Sequence, residues 1–318
     1  MKLKDFPRKY WETLPRHIEP FTPGHRLCAG CGASVVVRQV LLGTDKPVVV
    51  CCPTGCLQVS STLYPFTSWN VPYIHSGFVN AASTISGVEA AYRALSAKGK
   101  VNREIKFVVF AGDGGTYDIG FQALSGALER GHDIVYVCYD NQAYMNTGIQ
   151  RSSATPVGAW TTTTAIGTQS SGKKEYEKDI CLCVAAHRIP YVAQASPSHP
   201  KDLITKAQKA FRTKGPAYLN ILSPCPPGWR YDDASQGIKL AQLAVETCYW
   251  PLYEVERGIW RLTYKPDKKR PVTDWLKPQG RFSHLFREGN QSMLLEFQQE
   301  VDRRWEELLA RCGTASAS

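Results

Sequence analysis

Two short motifs, each at the end of an apolar run, carry residues able to hold a charged ligand. The run Phe107-Val-Val-Phe-Ala ends in Gly112-Asp113-Gly114-Gly115, and a second, Ile134 to Tyr139, ends in Asp140-Asn141-Gln142-Ala143. Runs this short, apolar and bounded by turn residues read as buried strands. An α/β sheet binds its ligands at the carboxyl ends of its strands. Small residues there let the backbone approach a phosphate, and the N–H groups opening the next helix supply donors. A dinucleotide site would need a third glycine where the chain has Tyr117, and the Lys of a P-loop is missing. Asp113 and Asn141 lie 28 residues apart, with one helix and one strand between them. They therefore bring a carboxylate and an amide oxygen to one end of the sheet. Hard oxygen ligands of this kind suit Mg²⁺, which holds a diphosphate by bridging its oxygens.

The cysteines form a second constellation. The chain has eleven, and Lys2, Lys4, Asp5 and Arg8 interrupt any apolar leader at its start. Reduced thiols and a cytoplasmic location are expected, with some of the thiols acting as ligands. Cys28-Ala-Gly-Cys31 lets two thiolates reach one centre, and taken alone it reads equally as redox, zinc or neither. A zinc ribbon would need a second close pair, and none follows. Instead Cys56 stands in Pro-Thr-Gly-Cys and Cys225 in Ser-Pro-Cys-Pro-Pro, both just after buried strands. Four thiolates from such places suit a [4Fe–4S] cluster. Cys51, Cys52, Cys138, Cys181, Cys183 and Cys248 read as small core hydrophobes.

The elements that must position these residues alternate along the chain. Strands are expected at Val48–Cys52, Phe107–Ala111, Ile134–Tyr139, Tyr191–Ala195 and Ala217–Ile221. Helices are expected at Val35–Leu42, Asn80–Ala97, Ile119–Arg130, Tyr176–Ala186, Pro200–Arg212 and Gln291–Arg311. The alternation predicts an α/β fold with a doubly wound, mostly parallel sheet covered on both faces. Gly43, Gly99 and Gly131 fall where left-handed caps are wanted. Thr147 to Gly172, rich in Thr, Ser and Gly, reads as a lid or interface loop. Residues 1–24, with four prolines, read as an irregular lead-in without core, and 25–230 as the ligand-binding domain. Residues 231–318 read as an extended C-terminal arm and helix. That arm holds isolated aromatics and, from Arg257 to Arg287, nine Lys and Arg against two Asp, a surface suited to gripping other subunits.

Several stretches together resemble the thiamine-diphosphate-binding beta subunits of the pyruvate:ferredoxin oxidoreductase family. These are Gly24-His-Arg-Leu-Cys-Ala-Gly-Cys-Gly, Ala111-Gly-Asp-Gly-Gly-Thr-Tyr-Asp-Ile-Gly, Tyr139-Asp-Asn-Gln-Ala-Tyr-Met-Asn-Thr-Gly and Tyr249-Trp-Pro-Leu-Tyr-Glu-Val-Glu-Arg-Gly. The resemblance spans about Thr22 to Trp305. It implies the diphosphate-binding domain of the thiamine-diphosphate-binding fold, with Asp113, Asn141 and the Ala143 carbonyl on Mg²⁺ and Gly112, Gly114 and Gly115 at the cofactor. It also implies Cys28, Cys31, Cys56 and Cys225 on the proximal cluster, and Asn146 beside the reactive carbon of the cofactor. The implied reaction converts a 2-oxoacid, pyruvate first among them, and coenzyme A to acyl-CoA and CO₂ with ferredoxin as electron acceptor, reversibly and in an anaerobic setting. Implied partners are alpha, gamma and delta-type subunits, which supply the carboxylate for the aminopyrimidine ring, the outer clusters and most substrate contacts.

Other readings remain at this stage. A branched-chain 2-oxoacid or oxalate could replace pyruvate, a non-redox thiamine-dependent decarboxylase or carboligase would share the Gly-Asp-Gly motif, and a non-catalytic iron–sulfur scaffold would share the cysteines. His75 reads as a core residue more readily than as an acid or base. Despite a net charge of +10, no zinc-finger spacing, RNP-like motif or basic helix points to nucleic acid. No run of 18 apolar residues points to a membrane span.

Overall fold

The computed structural model describes residues 19–168 and 170–314. One sheet of eight strands organises the chain. Six strands are mutually parallel: β1 (Val48–Pro53), β2 (Tyr73–Ser76), β3 (Lys106–Gly112), β4 (Val135–Asp140), β7 (Tyr191–Ala195) and β8 (Ala217–Leu222), in spatial order 7-8-4-3-1-2. Outside this sheet, β5 (Ile166–Gly167) and β6 (Ser170–Ser171) make a separate small hairpin.

Side chains alternate between the faces of a strand, so each central strand feeds two cores. Val108 and Phe110 of β3 pack with α1 (Gly32–Leu41) and α6 (Pro200–Arg212) through Val36, Val40, Leu203 and Phe211. On the opposite face, Phe107, Val109 and Ala111 pack with α3 (Ala81–Ala97), α4 (Phe121–Glu129) and α5 (Ile180–Ala185). Gly99 and Gly131 have φ of 68° and 69°, as expected of helix caps. Gly43 instead serves close packing, since a Cβ there would lie 2.7 Å from the Ala207 Cβ.

The C-terminal segment differs from the expected arm. β9 (Leu252–Glu256) pairs antiparallel with β7, and β10 (Ile259–Tyr264) pairs with β9, so 231–318 extends the sheet of the ligand-binding domain. Arg257 and Gly258, with φ of 52° and 83°, form the tight turn between them. Positive φ at both central residues matches the twist of a two-residue hairpin. Tyr249, Trp250, Tyr253 and Trp275 are buried rather than exposed. Tyr249 stacks on Trp275 at 4.0 Å, and both join Trp229, Phe282 and Phe297 of α10 (Gln291–Thr314) in a third cluster. Nor is the basic stretch wholly outward: Lys269 pairs with Asp302, Arg270 with Glu246 and Asp274, and Arg281 is buried.

Near the other end, Phe21 belongs to the expected lead-in yet is fully buried, tilted against Trp69 at 4.7 Å. Residues 1–18 of that lead-in lie outside the described residues. Replacing Trp275 by Ala should cost about 3–5 kcal/mol of stability, whereas Tyr64→Ala, at a side chain 98% exposed, should change it by less than about 0.5 kcal/mol. Denaturant unfolding of both variants checks this, and an unchanged midpoint for Trp275→Ala would separate the C-terminal segment from the core.

Candidate functional site

Register brings the two motifs level. Gly112 pairs with Tyr139 across β3 and β4, so Asp113 and Asn141 leave the sheet side by side at its carboxyl edge. Asp113 is fully buried. Its Oδ1 accepts the Asn141 N–H at 3.2 Å and its Oδ2 accepts the Ser152 hydroxyl at 2.5 Å. Asn141 turns its side-chain oxygen toward both the Ala143 carbonyl and Asp113 Oδ1, 2.9 Å from each. The amide turned over would place its N–H₂ there and donate to both. With the amide oxygen turned inward, as a bound cation would require, three oxygens converge without a hydrogen between them. Neighbouring ligands of an octahedral ion bound at about 2.1 Å stand about 3 Å apart. The three oxygens therefore fit Mg²⁺. Burial pushes the Asp113 carboxyl well up, and the nearby Asp140 carboxylate adds to the shift; a bound cation would oppose both effects.

Beside this edge lies a half-open cavity of about 570 Å³. Gly112, Gly114, Gly115, Asn141, Ala143 and Asn146 line it together with Thr54, Cys56 and Tyr139, and none of its lining residues is a carboxylate. Gly114 opens a single π turn, Gly114–Asp118, a form of helix that often marks functional sites. A Cβ at Gly114 would stand 2.5 Å from the Tyr144 ring, so only glycine lets the two loops close on this cavity. Asn146 is exposed at its rim. His75 is exposed, not in the core, and its Nε2 lies 3.0 Å from Oγ1 of Thr54.

Three loops bring the four cysteines to the same edge. Cys28 and Cys31 flank a turn in which the Cys31 N–H donates to the Cys28 carbonyl at 3.0 Å. Gly30 in that turn has φ of 76°, and a Cβ there would lie 2.2 Å from the Ala234 carbonyl oxygen. Cys56 opens α2 (Cys56–Ser61), and Cys225 precedes α7 (Pro226–Trp229), tied back by the Gly32 N–H donating to the Pro224 carbonyl at 2.9 Å. Burial pushes the Cys56 and Cys225 thiols up to about 12, and Cys28 and Cys31 add to both shifts. The four are thus within electrostatic reach of one another. Among the described residues, however, no three His, Cys, Asp or Glu side chains gather closely enough to hold a single ion. Thiolates on one zinc at 2.3 Å would stand about 3.8 Å apart, whereas a multi-iron cluster spreads its ligands. Cys51 and Cys52 are fully buried in β1, consistent with packing.

Several residues of the site carry no sequence signal of their own. Ser152 and Thr155, in the expected lid, are fully buried, and Thr155 Oγ1 donates to the Gln142 carbonyl at 2.7 Å. That part of the loop is a strap against Asp113 and Gln142. Asp140 accepts from the Tyr117 hydroxyl at 2.6 Å and from the Gln142 N–H at 2.9 Å. Arg281, 139 residues from Gln142 in the chain, donates to Gln142 Oε1 at 2.6 Å. Its guanidinium lies over Trp229 at 4.4 Å, and Trp229 Nε1 donates to the Asn141 carbonyl at 2.9 Å.

Comparison with known proteins agrees with this geometry. Residues 53–221 match the family model of the thiamine pyrophosphate enzyme C-terminal TPP-binding domain. Pyruvate synthase subunit PorB of Thermotoga maritima is 52% identical over 91% of this chain and 90% of that protein. The chain belongs to the 2-oxoacid:ferredoxin oxidoreductase family. Within this family it is a subunit of a multi-subunit enzyme and carries the thiamine-diphosphate-binding domain. Ketoisovalerate oxidoreductase subunit VorB of Pyrococcus horikoshii is 44% identical over 91% of the chain and 92% of that protein. A 2-oxoglutarate:ferredoxin oxidoreductase from Magnetococcus marinus, 23% identical with a TM-score of 0.53 over 73% of this chain and 79% of that one, shares the fold. No helix among the described residues is long and apolar enough to cross a membrane.

Ser152 only supports Asp113, so Ser152→Ala in the assembled enzyme should weaken Mg²⁺-dependent cofactor binding by about 10–100-fold. Asp113→Ala should abolish that binding while leaving the fold intact. Cofactor titration at graded Mg²⁺, with circular dichroism as the fold control, distinguishes the two; stoichiometric cofactor on folded Asp113→Ala protein would rule out the metal site.

Proposed function

We propose that this chain binds thiamine diphosphate through Mg²⁺ held by Asp113, Asn141 and the Ala143 carbonyl, with Gly112, Gly114 and Gly115 against the diphosphate. Cys28, Cys31, Cys56 and Cys225 hold a [4Fe–4S] cluster beside it. The observation that carries this reading is that Cys56 lines the same cavity as Gly114, Asn141 and Asn146. A cluster ligated by Cys56 would therefore border the cofactor cavity, with no intervening protein layer at that point. A non-redox decarboxylase has no use for such an arrangement, and an iron–sulfur scaffold has no use for the converging oxygens.

The substrate is pyruvate, in keeping with the 52% identity to the pyruvate synthase subunit of Thermotoga maritima. Pyruvate and coenzyme A yield acetyl-CoA and CO₂, and the electrons leave one at a time to ferredoxin. Thiamine diphosphate, when bound, supplies the nucleophilic carbon and the electron sink. The chain's own residues anchor the diphosphate, place the exposed Asn146 amide where it can donate to a substrate oxygen, and set the cluster ligands at the cavity wall. The acid that faces the aminopyrimidine ring comes from a partner subunit, in keeping with a cavity lining that holds no carboxylate among the described residues. Alpha, gamma and delta-type subunits complete the enzyme in the cytoplasm and carry the outer clusters.

Anaerobic cofactor extraction from the complex should give thiamine diphosphate with iron and sulfide. Cys225→Ser should lose the cluster and its paramagnetic signal, while Cys52→Ser, in the core of β1, should keep both. The reverse pattern would overturn the ligand assignment. The reconstituted chain alone should show no coenzyme-A-dependent dye reduction with pyruvate, and activity should appear only on adding the partner subunits.

A further inference from the structure

Tyr231 is only 6% exposed, and its hydroxyl is buried without a hydrogen-bond partner. A buried hydroxyl left unpaired is costly, so such a group in a native fold calls for an explanation. Its surroundings supply one. The position that a Cβ on Gly237 would occupy is 3.0 Å from the Tyr231 hydroxyl oxygen and 3.2 Å from the Gly30 carbonyl oxygen. The phenol therefore sits beside the turn that presents Cys28 and Cys31. Burial raises its pKa, and the Cys225 and Cys31 thiols are the next largest influences on it. The group is a protonated donor packed in the same cluster as Cys225 and beside the turn that carries Cys28 and Cys31. The backbone N–H groups of Gly228 near Cys225, and of Ala33 and Ser34 near Cys31, favour the charged form of those thiols.

We propose that the Tyr231 hydroxyl donates a hydrogen bond to a sulfur of the bound cluster, either the Cys225 or Cys31 thiolate or a neighbouring sulfide, and so raises the cluster's reduction potential. The inference rests on the four-cysteine ligation proposed above. A donor to a cluster sulfur stabilises the reduced, more negative state over the oxidised one, and hydrogen bonds to the sulfurs are among the main determinants of cluster potential. Such a donor on the first cluster makes it a better acceptor of electrons from the neighbouring cofactor. Tyr231 is then a positioning and tuning residue rather than a catalytic one.

Tyr231→Phe removes one oxygen and keeps the ring, so packing is preserved. In the purified complex, iron and sulfide content is measured first, and the proximal cluster's signal is identified by its loss in Cys225→Ser. Paramagnetic resonance during a redox titration then reads the midpoint, and electron–nuclear double resonance in H₂O and D₂O reads exchangeable protons coupled to the cluster. The variant should retain the cluster, shift its midpoint to a more negative potential and lose one strongly coupled exchangeable proton. An unchanged midpoint with an unchanged proton signal would overturn the proposal. If Tyr231→Phe sheds its cluster, Tyr231→Leu is titrated in its place, and a wild-type midpoint with an unchanged proton signal there would overturn the proposal equally. Wild-type complex without cluster iron at these cysteines would refute the ligation itself, a failure visible before any potential is measured.

Discussion

Asp113 is a carboxylate fully buried at the edge of a sheet, beside the Asn141 side-chain amide, which also borders the Ala143 carbonyl. Grouping oxygens in this way is unfavourable unless a hydrogen or a cation lies between them. Much of the surrounding structure maintains the grouping. The parallel register of β3 and β4 sets the two loops level, Ser152 holds the outer oxygen of Asp113, and Gln142, with φ of 69°, turns the backbone so that the Ala143 carbonyl points back. Bound Mg²⁺ would convert this local conflict into affinity for a diphosphate, which brings its own negative charge to the ion.

The same loop is coupled to the cysteines. Arg281 is buried and bonded to the amide oxygens of Gln142 and Gln279, with no carboxylate paired to it among the described residues. Burial pulls its pKa down to about 9. Cys225 and Asp140 are among the groups that favour its charged form, so the anionic charge of the proposed cofactor site and cluster would lie on the side where a buried cation is most useful. Trp229 links the two halves. Its indole donates to the Asn141 carbonyl, and its N–H donates to the Cys225 carbonyl at 2.8 Å. A shift of the Asn141 loop would thus be passed through Trp229 to Cys225, a ligand of the proposed cluster.

The parts that could be read from sequence were those whose signal is local. Gly-Asp-Gly after one strand and Asp-Asn after the next required only that the two strands be neighbours, which short right-handed crossovers favour, and they are neighbours. The five expected strands recur with ends shifted by no more than one residue. What could not be read was set by packing between distant residues. Nothing around Arg281 distinguishes it from the other basic residues of Arg257 to Arg287, and only the fold places it beneath Gln142. The aromatics of the C-terminal segment fall singly among prolines and charges, too sparse to form a period, yet they meet Trp229 to complete a core. β9 and β10 were missed because their alternation spans few residues and their turn, Arg257-Gly258, is a weak hairpin signal.

The central claim is that the proposed cluster and the proposed diphosphate site border one cavity. Anomalous scattering at the iron edge from crystals of the intact complex, grown anaerobically with thiamine diphosphate and Mg²⁺, tests it directly. An iron peak enclosed by Cys28, Cys31, Cys56 and Cys225 is expected, with the cofactor in the adjoining cavity and its diphosphate at Asp113 and Asn141. Iron bound elsewhere on the chain, or a diphosphate remote from Asp113, would contradict it.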